Sequence, residues 1–534
     1  MSEPGTTNAP HLLNELARNG VTLKLLDGDR LQVAAPTGAL TPDLRERIAQ
    51  HKPQLLAWLA HLGHDRPTEH PLPTITPDPD HLYDPFPPSD LQASFLIGSR
   101  EGFEYHVRPH QYFEYEIGAV DPARLQDAIN AELHYQRHNL VTVRDDMQLQ
   151  TVRDPAPYQL PVLDLRHLPP DKATAALDDV RASMERTEPD HHHWPWLNTR
   201  LTLLPDGHAR LHHNNNNLFS DAPATLRFIE TVLLRHRDPT WSPPPLTISF
   251  RDCVLALADL EESELGQRSK KYWTDRIPHW PDAPHLPLAP GADPRRRSRL
   301  VRRDMLFDAP LWDALTTKSA ARGLSTTNVL TAIQAEVLAH WSGSRHFLLN
   351  NMITHRLPLH PQLPDLLGNL ASLYPLEVDW RPHEPFTDRA TRLQAQVLTD
   401  IEHVHWSGVK VLQALNAGRR TPGRAVCPYA IGSALFLGQQ DRPVHSTLET
   451  PQTLIDCEFW DLTDGTLWVV WDVIEDMFPP GLIDAMEQGY RHIVTQLATD
   501  DHAWQHTAFP LLPPDQHHQR TQLNTPTTLS LIHI

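Results

Sequence analysis

The sequence predicts an α/β protein with more than one packed lobe, and three observations lead to this prediction. The chain has 534 residues, which is enough for two or more lobes with their own cores. Hydrophobic residues make up 40% of the chain and charged residues 21%, the range of a globular protein. From residue 89 onward, stretches with helical spacing alternate with short extended stretches, which is typical of an α/β fold.

The first sixty residues predict a small module with the element order α-β-β-α-α. Apolar residues with helical spacing around Leu12 come first, and alternating stretches on either side of Asp27-Gly28 predict a hairpin. Thr41-Pro42 begins a second helix and Pro53 a third. On these residues alone, residues 1–62 are a small accessory domain. The proline-rich residues 63–84 predict a semi-rigid linker.

The remaining chain divides into a first lobe over residues 85–245, a second lobe over residues 246–515 and a tail over residues 516–534. In the first lobe the pattern predicts a helix starting at Ser89, helices at 122–133 and 224–234, and strands at 109–117, 158–165, 200–204 and 209–217. In the second lobe it predicts helices at 249–260, 264–273, 329–341, 386–404 and 480–497, and strands at 347–353 and 466–473.

Charge and composition exclude several classes of partner. A net charge of −19 disfavours nucleic acid by simple repulsion. No apolar run approaches the length of a membrane span, so no membrane partner is expected. Three widely spaced cysteines argue against a disulfide framework and fit a reducing compartment. We therefore expect a cytoplasmic protein in which the cysteines are packing residues.

The N-terminal module resembles the TubC-type docking domain of modular peptide synthetases. The residues that carry the resemblance are LLNELARNGVTLKLLDGDRLQVAAPTGALTPDLRERIAQHKPQLLAWL. The family uses its hairpin to receive a C-terminal docking peptide from the preceding synthetase protein. A free strand edge suits that task because it offers main-chain donors and acceptors.

The large region resembles the condensation domains of nonribosomal peptide synthetases, specifically their heterocyclization branch. The stretches that carry it are SDLQASFLIGSREG, NNMITHRLPLHP, LGNLASLYPLEVD, TPQTLIDC and VVWDVIEDMFPPGLIDAM. The resemblance implies two lobes like chloramphenicol acetyltransferase, set in a V with an active-site tunnel between them. It also implies substrates held on the phosphopantetheine of partner carrier proteins, with no intrinsic cofactor and no metal.

The family reaction implied by this resemblance has two parts. An amine attacks a thioester, and the Cys, Ser or Thr side chain of the product then closes on the new amide with loss of water. The family's motif for this branch is Asp-x-x-x-x-Asp-x-x-Ser. In this chain, anchored on Asp221, the motif reads Asn216, Asp221 and Ala224. The pair His212-His213 lies four residues before the double histidine of ordinary condensation domains.

The polar stretch from His212 to Asp221 is, from its residues alone, either a solvated turn or the polar floor of a cavity. The resemblance favours the cavity. Asn216 and Asn217 can then orient a substrate, although an amide cannot take a proton near neutral pH. Asn369, which falls on the family's Gly-Asp-Phe-Thr motif, is predicted to do the same.

Other motif positions yield the remaining candidates. The family's Phe-Asn-Arg falls on Thr354-His355-Arg356, and its Phe-Thr-Ser, whose threonine is implicated in cyclodehydration, falls on Ile431-Gly432-Ser433. The predicted catalytic residues are Asp456 and His355 for proton transfer and Asp221 for ordering the loop. Arg356 is a structural partner of Asp221, and Ser433 joins the orienting set. His355 is equally compatible with a satisfied core histidine.

Two further clusters have competing interpretations. The run His191-His192-His193 invites a metal site, but adjacent residues rarely converge on one ion, so a solvated loop is predicted. The arginines of residues 295–303 predict a solvated loop leading into a strand at 305–307, or alternatively a surface for an acidic carrier protein.

The chain shows neither a carrier serine motif nor an adenylation domain. The expectation is a free-standing heterocyclization-like enzyme acting in trans, with altered cyclization. The alternative is a catalytically silent domain that only docks synthetase proteins together.

Overall fold

The computed structural model describes residues 22–26, 30–34, 40–50, 52, 72–419 and 423–511. In the N-terminal module, strands β1 (Thr22–Leu26) and β2 (Arg30–Ala34) form an antiparallel hairpin. Helix α1 (Pro42–Gln50) follows, and the Thr41 hydroxyl accepts the Leu44 N–H as predicted for its cap. The predicted first and third helices of this module lie outside the described residues.

The first large sheet has five strands in the order β13-β3-β8-β7-β6. Its strands are β3 (His110–Ile117), β6 (Val162–Asp164), β7 (Leu197–Leu203), β8 (Ala209–Asn216) and β13 (His445–Glu449). A separate hairpin is made by β4 (Val141–Val143) and β5 (Leu149–Thr151).

The second large sheet has six strands in the order β11-β10-β12-β14-β15-β9. Its strands are β9 (Val301–Phe307), β10 (His346–Thr354), β11 (Ala371–Asp379), β12 (Tyr429–Ser433), β14 (Ile455–Asp461) and β15 (Leu467–Val473). Strand β12 runs parallel to β10 and β14, and the other neighbours are antiparallel.

Helices cover the outer side of each sheet and connect the strands. They are α2 (Asp90–Gly98), α3 (Pro122–Tyr135), α4 (Pro170–Arg186), α5 (Ala222–Arg237), α6 (Phe250–Glu262), α7 (Glu264–Arg276), α8 (Ala309–Ala321), α9 (Thr326–Ser342), α10 (Phe386–Ile401), α11 (Gly408–Arg419) and α12 (Leu482–Thr499). Among the helices of the described residues, none combines the length and the apolar character needed to cross a bilayer.

The α/β prediction is confirmed, and most predicted elements appear within a few residues of their expected bounds. The predicted cap of α2 is a complete capping box, in which Ser89 and Gln92 each accept the other's main-chain N–H. The strand predicted over residues 158–165 is shorter, since only Val162–Asp164 pairs with a neighbour. Helices α4, α8 and α11, the hairpin of β4 with β5, and strands β11 to β14 were not predicted.

The two lobes exchange chain segments and do not divide cleanly at residue 245. Strand β13 comes from the second half of the chain and pairs with β3 in the first sheet. Leucines between residues 359 and 373 also pack in the core of the first lobe. The lobes are therefore interlocked through residues far apart in sequence.

Part of the predicted linker packs against the first lobe. Ile75 is buried, and its N–H donates to the Leu359 carbonyl at 3.0 Å. Asp78 forms an ion pair with Arg251 at 3.2 Å. Residues 72–84 therefore run along the lobe as a fixed strap.

Candidate active site

A cavity lies between the inner faces of the two sheets. The first lobe contributes side chains of β3 and of the loop after β8, and the second contributes side chains of β9, β12 and β14. An adjoining cavity shares Leu91, Phe95, Met352 and Thr450 with it. We call these two adjoining cavities the passage; they lie between the lobes, where the resemblance implies a tunnel.

The asparagine run is a buried strand, so its interpretation as a solvated turn is wrong. Every residue from Leu211 to Asp221 is buried, and Ala209–Asn216 forms the middle strand β8. His212 shares hydrogen bonds with Tyr112 and Thr202, at 2.8 and 3.0 Å. His213 shares one with Thr199 at 2.9 Å.

The two histidines of β8 are neutral members of the sheet. Burial lowers the pKa of His212 to about 4, and the same cause lowers the pKa of His213 to about 4. Neither ring lines the cavity between the lobes. They stabilise β8 against its neighbours and do not supply a general base there.

Asn216 and Asn217 differ in what their side chains can reach. The Asn216 amide donates to the Pro189 carbonyl at 3.4 Å and accepts the Leu218 N–H at 3.0 Å. Asn217 lines the cavity, and its side-chain oxygen has no hydrogen-bond partner within the described ranges. Asn217 is therefore placed to accept a hydrogen bond from a substrate N–H, whereas Asn216 holds the loop.

Asp221 and Arg356 form a buried ion pair that joins the lobes. The Arg356 guanidinium donates to Asp221 at 2.9 Å and also to the Leu363, Leu366 and Gly368 carbonyls. The Asp221 carboxylate additionally accepts the Ala224 and Leu370 N–H groups. With both oxygens engaged, Asp221 orders the loop as expected, and these contacts do not favour proton transfer by this group.

Asn369 also connects the two lobes through hydrogen bonds. Its amide nitrogen donates to the Asn217 carbonyl at 2.5 Å, and its oxygen accepts the Ala371 N–H at 3.0 Å. Both polar atoms of the amide thus bind main chain. Asn369 lines the cavity, and its hydrogen bond to the Asn217 carbonyl helps to hold Asn217 in position.

Strand β12 has a glycine, Gly432, where the family has a threonine. Gly432 lines the cavity, and a Cβ at this position would meet Met352 at an ordinary contact distance of 3.7 Å. The neighbouring Ser433 hydroxyl shares a hydrogen bond with Thr327 at 3.1 Å, and Thr327 belongs to helix α9. The hydroxyl of Ser433 is thus engaged away from the position of Gly432.

Asp456 is the buried acid of the cavity. It lies on β14, and the Thr450 hydroxyl donates to its carboxyl at 3.2 Å. Burial and then the charge of Glu458 raise its pKa well above the ordinary range. Asp456 therefore favours the protonated form, which a group needs in order to donate a proton.

Charged residues of β9 and β15 surround Asp456 on the same face of the sheet. Asp472 is directly opposite Asp456, and Arg302 is opposite Asp472 on the next strand. Arg302 binds Asp472 through two hydrogen bonds of 3.0 and 2.6 Å. The Asp472 carboxylate therefore balances most of the positive charge of Arg302, so that less of this charge stabilises an ionised Asp456.

His355 is not one of the described residues that line this cavity. Its Nδ1 atom is buried and has no partner among the described residues. Burial, with a smaller effect of His405, lowers its pKa to about 4. A neutral imidazole outside the cavity lining can accept a proton only after a rearrangement, and proton transfer by His355 stays a prediction.

Sequence reasoning missed three charged residues of the site: Arg302, Glu458 and Asp472. Each left a trace in the sequence. Glu458 follows Asp456 at the two-residue spacing that puts side chains on one face of a strand. Asp472 is a lone charge within an apolar strand, and a charge buried in this way needs a partner, which is Arg302.

Of the remaining clusters of the sequence, the histidine run lies outside the cavity, whereas the arginine run reaches it through Arg302. His192 and His193 are exposed, and each has a separate partner, the Val143 carbonyl and Asp190. In the arginine run, residues 295–299 form a largely exposed loop that leads into strand β9. Arg299 forms an ion pair with Glu449 at 3.1 Å, and the side chain of Arg302, on β9, is 10% exposed. The three cysteines are free and buried.

The comparison with family models matches both parts of the chain. Residues 10–61 match the TubC N-terminal docking domain, and residues 235–414 match the Condensation domain. The cyclization-docking bidomain of EpoB, a nonribosomal peptide synthetase from Sorangium cellulosum, superimposes with a TM-score of 0.74 at 31% identity. That similarity covers 92% of this chain and 99% of the bidomain.

Full-length synthetases are also similar over most of this chain. Phenyloxazoline synthase MbtB of Mycobacterium sp. (strain MCS) is 33% identical over 90% of it, and pyochelin synthetase PchF of Pseudomonas aeruginosa is 31% identical over 90%. The chain spans 42% of the first relative and 26% of the second. It therefore belongs to the condensation-domain family of nonribosomal peptide synthetases, in the heterocyclization branch of acyl-transferring enzymes, and carries a TubC-type docking domain.

Proposed function

We propose that the chain joins two carrier-tethered acyl groups and then closes a ring in the product by a modified cyclodehydration. The observation that carries this proposal is the buried Asp456 carboxyl in a cavity lined by both lobes. A carboxyl that is buried and held near other acids keeps its proton near neutral pH and can deliver it to a leaving group.

The first step of the proposed reaction forms an amide. The amine of the acceptor attacks the donor thioester, a C–N bond forms, and the C–S bond breaks. The amine proton leaves with the thiolate. Asn217 is proposed to orient the attacking N–H, because it is a lining residue of the cavity and its buried side-chain oxygen has no hydrogen-bond partner in the described chain. Asn216, Asn369 and Ser433 shape the site through contacts within the protein.

The second step closes the ring. The Cys, Ser or Thr side chain adds to the amide carbonyl, whose oxygen becomes a hydroxyl. That hydroxyl leaves as water with a proton from Asp456. The ring nitrogen gives its own proton to the resulting Asp456 carboxylate as the C=N bond forms, so the carboxyl ends the step protonated. The thioester supplies the driving force for amide formation, so the proposed reaction uses no nucleotide and no resident cofactor.

The proposed partners are carrier proteins, whose phosphopantetheine arms enter the passage between the lobes. The antiparallel hairpin β1–β2 is the proposed binding site for the C-terminal docking peptide of an upstream synthetase. A two-stranded sheet leaves an outer edge on each strand, and an extended peptide can add there through main-chain hydrogen bonds.

The test uses purified protein with an acyl-loaded donor carrier and acceptor carriers loaded with Cys, Ser or Thr, followed by intact-mass spectrometry. We expect a transfer product and then the loss of one water. In Asp456→Asn, transfer continues and water loss slows by about 100-fold, the scale of a lost general acid. The control is Asp464→Asn, an exposed turn residue after the same strand.

Three outcomes would change the proposal. Absence of any transfer product across several carrier pairs favours a catalytically silent docking scaffold, the function that the substitutions at Asn216 and Gly432 would suit. Full water loss in Asp456→Asn removes that carboxyl from the mechanism. Slowed water loss in His355→Gln would instead bring His355 into it.

A further inference from the structure

The cavity face of β14 carries a second carboxyl, Glu458, two residues after Asp456. Both side chains line the cavity, and the strand repeat places them on one face about 7 Å apart along the strand. Glu458 is half-buried, so its carboxyl is reachable from the cavity. One of its oxygens accepts the Trp460 indole N–H at 3.2 Å.

Glu458 lies beside Gly432 of strand β12. In the parallel pairing of β12 with β14, Gly432 is the partner of Glu458. Among the described residues, a Cβ at Gly432 would meet Met352 at an ordinary contact distance of 3.7 Å. Position 432 therefore has room for a β-carbon on the cavity side, and Glu458 is its partner on the neighbouring strand.

The positive charges near Asp456 and Glu458 are engaged by other acidic residues. Arg302 is bound by Asp472, as described above. Asp304 on β9 accepts hydrogen bonds from the Trp468 indole and from Arg442. Asp441 and Tyr115 complete the titratable groups that line this side of the cavity. Two further carboxylates at Asp456 and Glu458 would face no free cation among these groups, so the pair is expected to retain a proton.

We propose that Asp456 and Glu458 act as a proton-sharing carboxyl pair, in which Glu458 performs the part that the absent threonine at position 432 plays in the family. This inference rests on the proposed function. The protonated member of the pair gives its proton to the departing hydroxyl, which leaves as water. The ionised member takes the proton from the ring nitrogen as the C=N bond forms. The pair therefore ends with one proton, as it began.

The decisive variant is Glu458→Gln, which keeps the size of the side chain and its ability to accept the Trp460 N–H. We expect amide formation within about twofold of the wild-type rate and water loss slowed by about 100-fold. The uncyclised amide then accumulates and is seen by intact mass. The control is Glu116→Gln, a half-exposed strand residue of the first lobe.

Water loss at the wild-type rate in Glu458→Gln would overturn the inference. A parallel fall of both steps would overturn it too, because it would indicate a structural role. If the wild-type protein itself forms no amide, the failure lies with the proposed function and precedes this inference.

A second readout does not depend on turnover. Burial, opposed by Arg302, raises the pKa of Glu458 above its ordinary value of 4.5. Protonation of Glu458 therefore stabilises the folded state. This contribution to stability is fully present below that value and is lost as the pH rises through the raised pKa. We expect the melting temperature of Glu458→Gln, relative to wild type, to increase as the pH rises from about 4.5 through the raised pKa. A difference that does not change with pH would contradict a proton held at this site.

Discussion

Single polar residues decide whether the lobes stay joined around the cavity. The ion pair of Asp221 with Arg356 is 3% and 8% exposed, and its groups also bind main chain from both lobes. Removing one member of such a pair leaves the other as an uncompensated buried charge. The architectural role of the pair can therefore be measured as stability.

We expect Asp221→Asn to lower the free energy of unfolding by about 3–5 kcal/mol, because Arg356 loses its counter-charge. Urea denaturation measures the loss. The control, Asp464→Asn, lies in an exposed turn and should change stability by less than about 0.5 kcal/mol. A loss below about 1 kcal/mol in Asp221→Asn would show that the pair is dispensable.

Some residues of the site could be predicted from the sequence, and others could not. Asp456, Asn217 and the pair of Asp221 with Arg356 could be proposed from the sequence because Asp221, Arg356 and Asp456 are retained and anchor motifs whose other positions have changed. Glu458 could not be identified by motif, since its meaning depends on the pairing of β14 with Gly432 of another strand. Strand partners are set by the assembled sheet and not by local spacing.

At the scale of elements, a close contact between helix α11 and strand β11 fixes one side of the passage. Gly408 begins α11, and a Cβ there would lie 1.8 Å from the Leu373 carbonyl oxygen. The main chain of the helix can approach the strand only because this residue has no side chain. Val409 and Leu412 of the same helix line the adjoining cavity.

We expect Gly408→Ala to lower the free energy of unfolding by about 1–3 kcal/mol, because the helix must move away from the strand. Gly418→Ala is a matched control within the same helix. A Cβ at Gly418 would meet no atom within 4 Å among the described residues outside its own helix, so alanine should stabilise the helix by up to about 1 kcal/mol. Equal effects of the two substitutions in urea denaturation would contradict the close contact.

Elements with strong apolar periodicity could be predicted, and those without it could not. Helix α9 buries nearly every residue of its first three turns, and its predicted position agrees with the structure. Helix α4 buries only Ala173, Leu177 and Met184 over seventeen residues, so its apolar pattern is sparse. Strand β13 is short and polar at its start, and it is a strand because β3 offers it an edge.

At the scale of the whole molecule, the proposed catalytic cavity and the hairpin proposed for docking lie in separate parts of the chain. The hairpin of the N-terminal module belongs to the docking domain, whereas the cavity lies between the lobes of the large region. Docking raises the local concentration of a carrier without changing the chemistry in the cavity. The two contributions can therefore be separated by experiment.

We expect deletion of residues 1–62 to reduce turnover by roughly tenfold or more when the donor is carried by a synthetase protein with its own docking peptide. Turnover of small soluble thioesters should not change, since they reach the cavity without docking. Steady-state rates with both kinds of substrate provide the measurement. An equal loss with both would mean that the deletion disturbs the lobes and that docking is not its main role.

The crossing of β13 into the first sheet has a consequence for how the protein is made. Strand β3 is synthesised early, but its edge partner β13 emerges only after residues 118–444 have been translated. At bacterial and eukaryotic elongation speeds this interval lasts roughly 15–70 s. During that time the first sheet has an open edge, which is a template for pairing with another nascent chain. The first lobe therefore cannot complete its sheet on its own. Most of the second lobe must be synthesised before β13 can pair with β3.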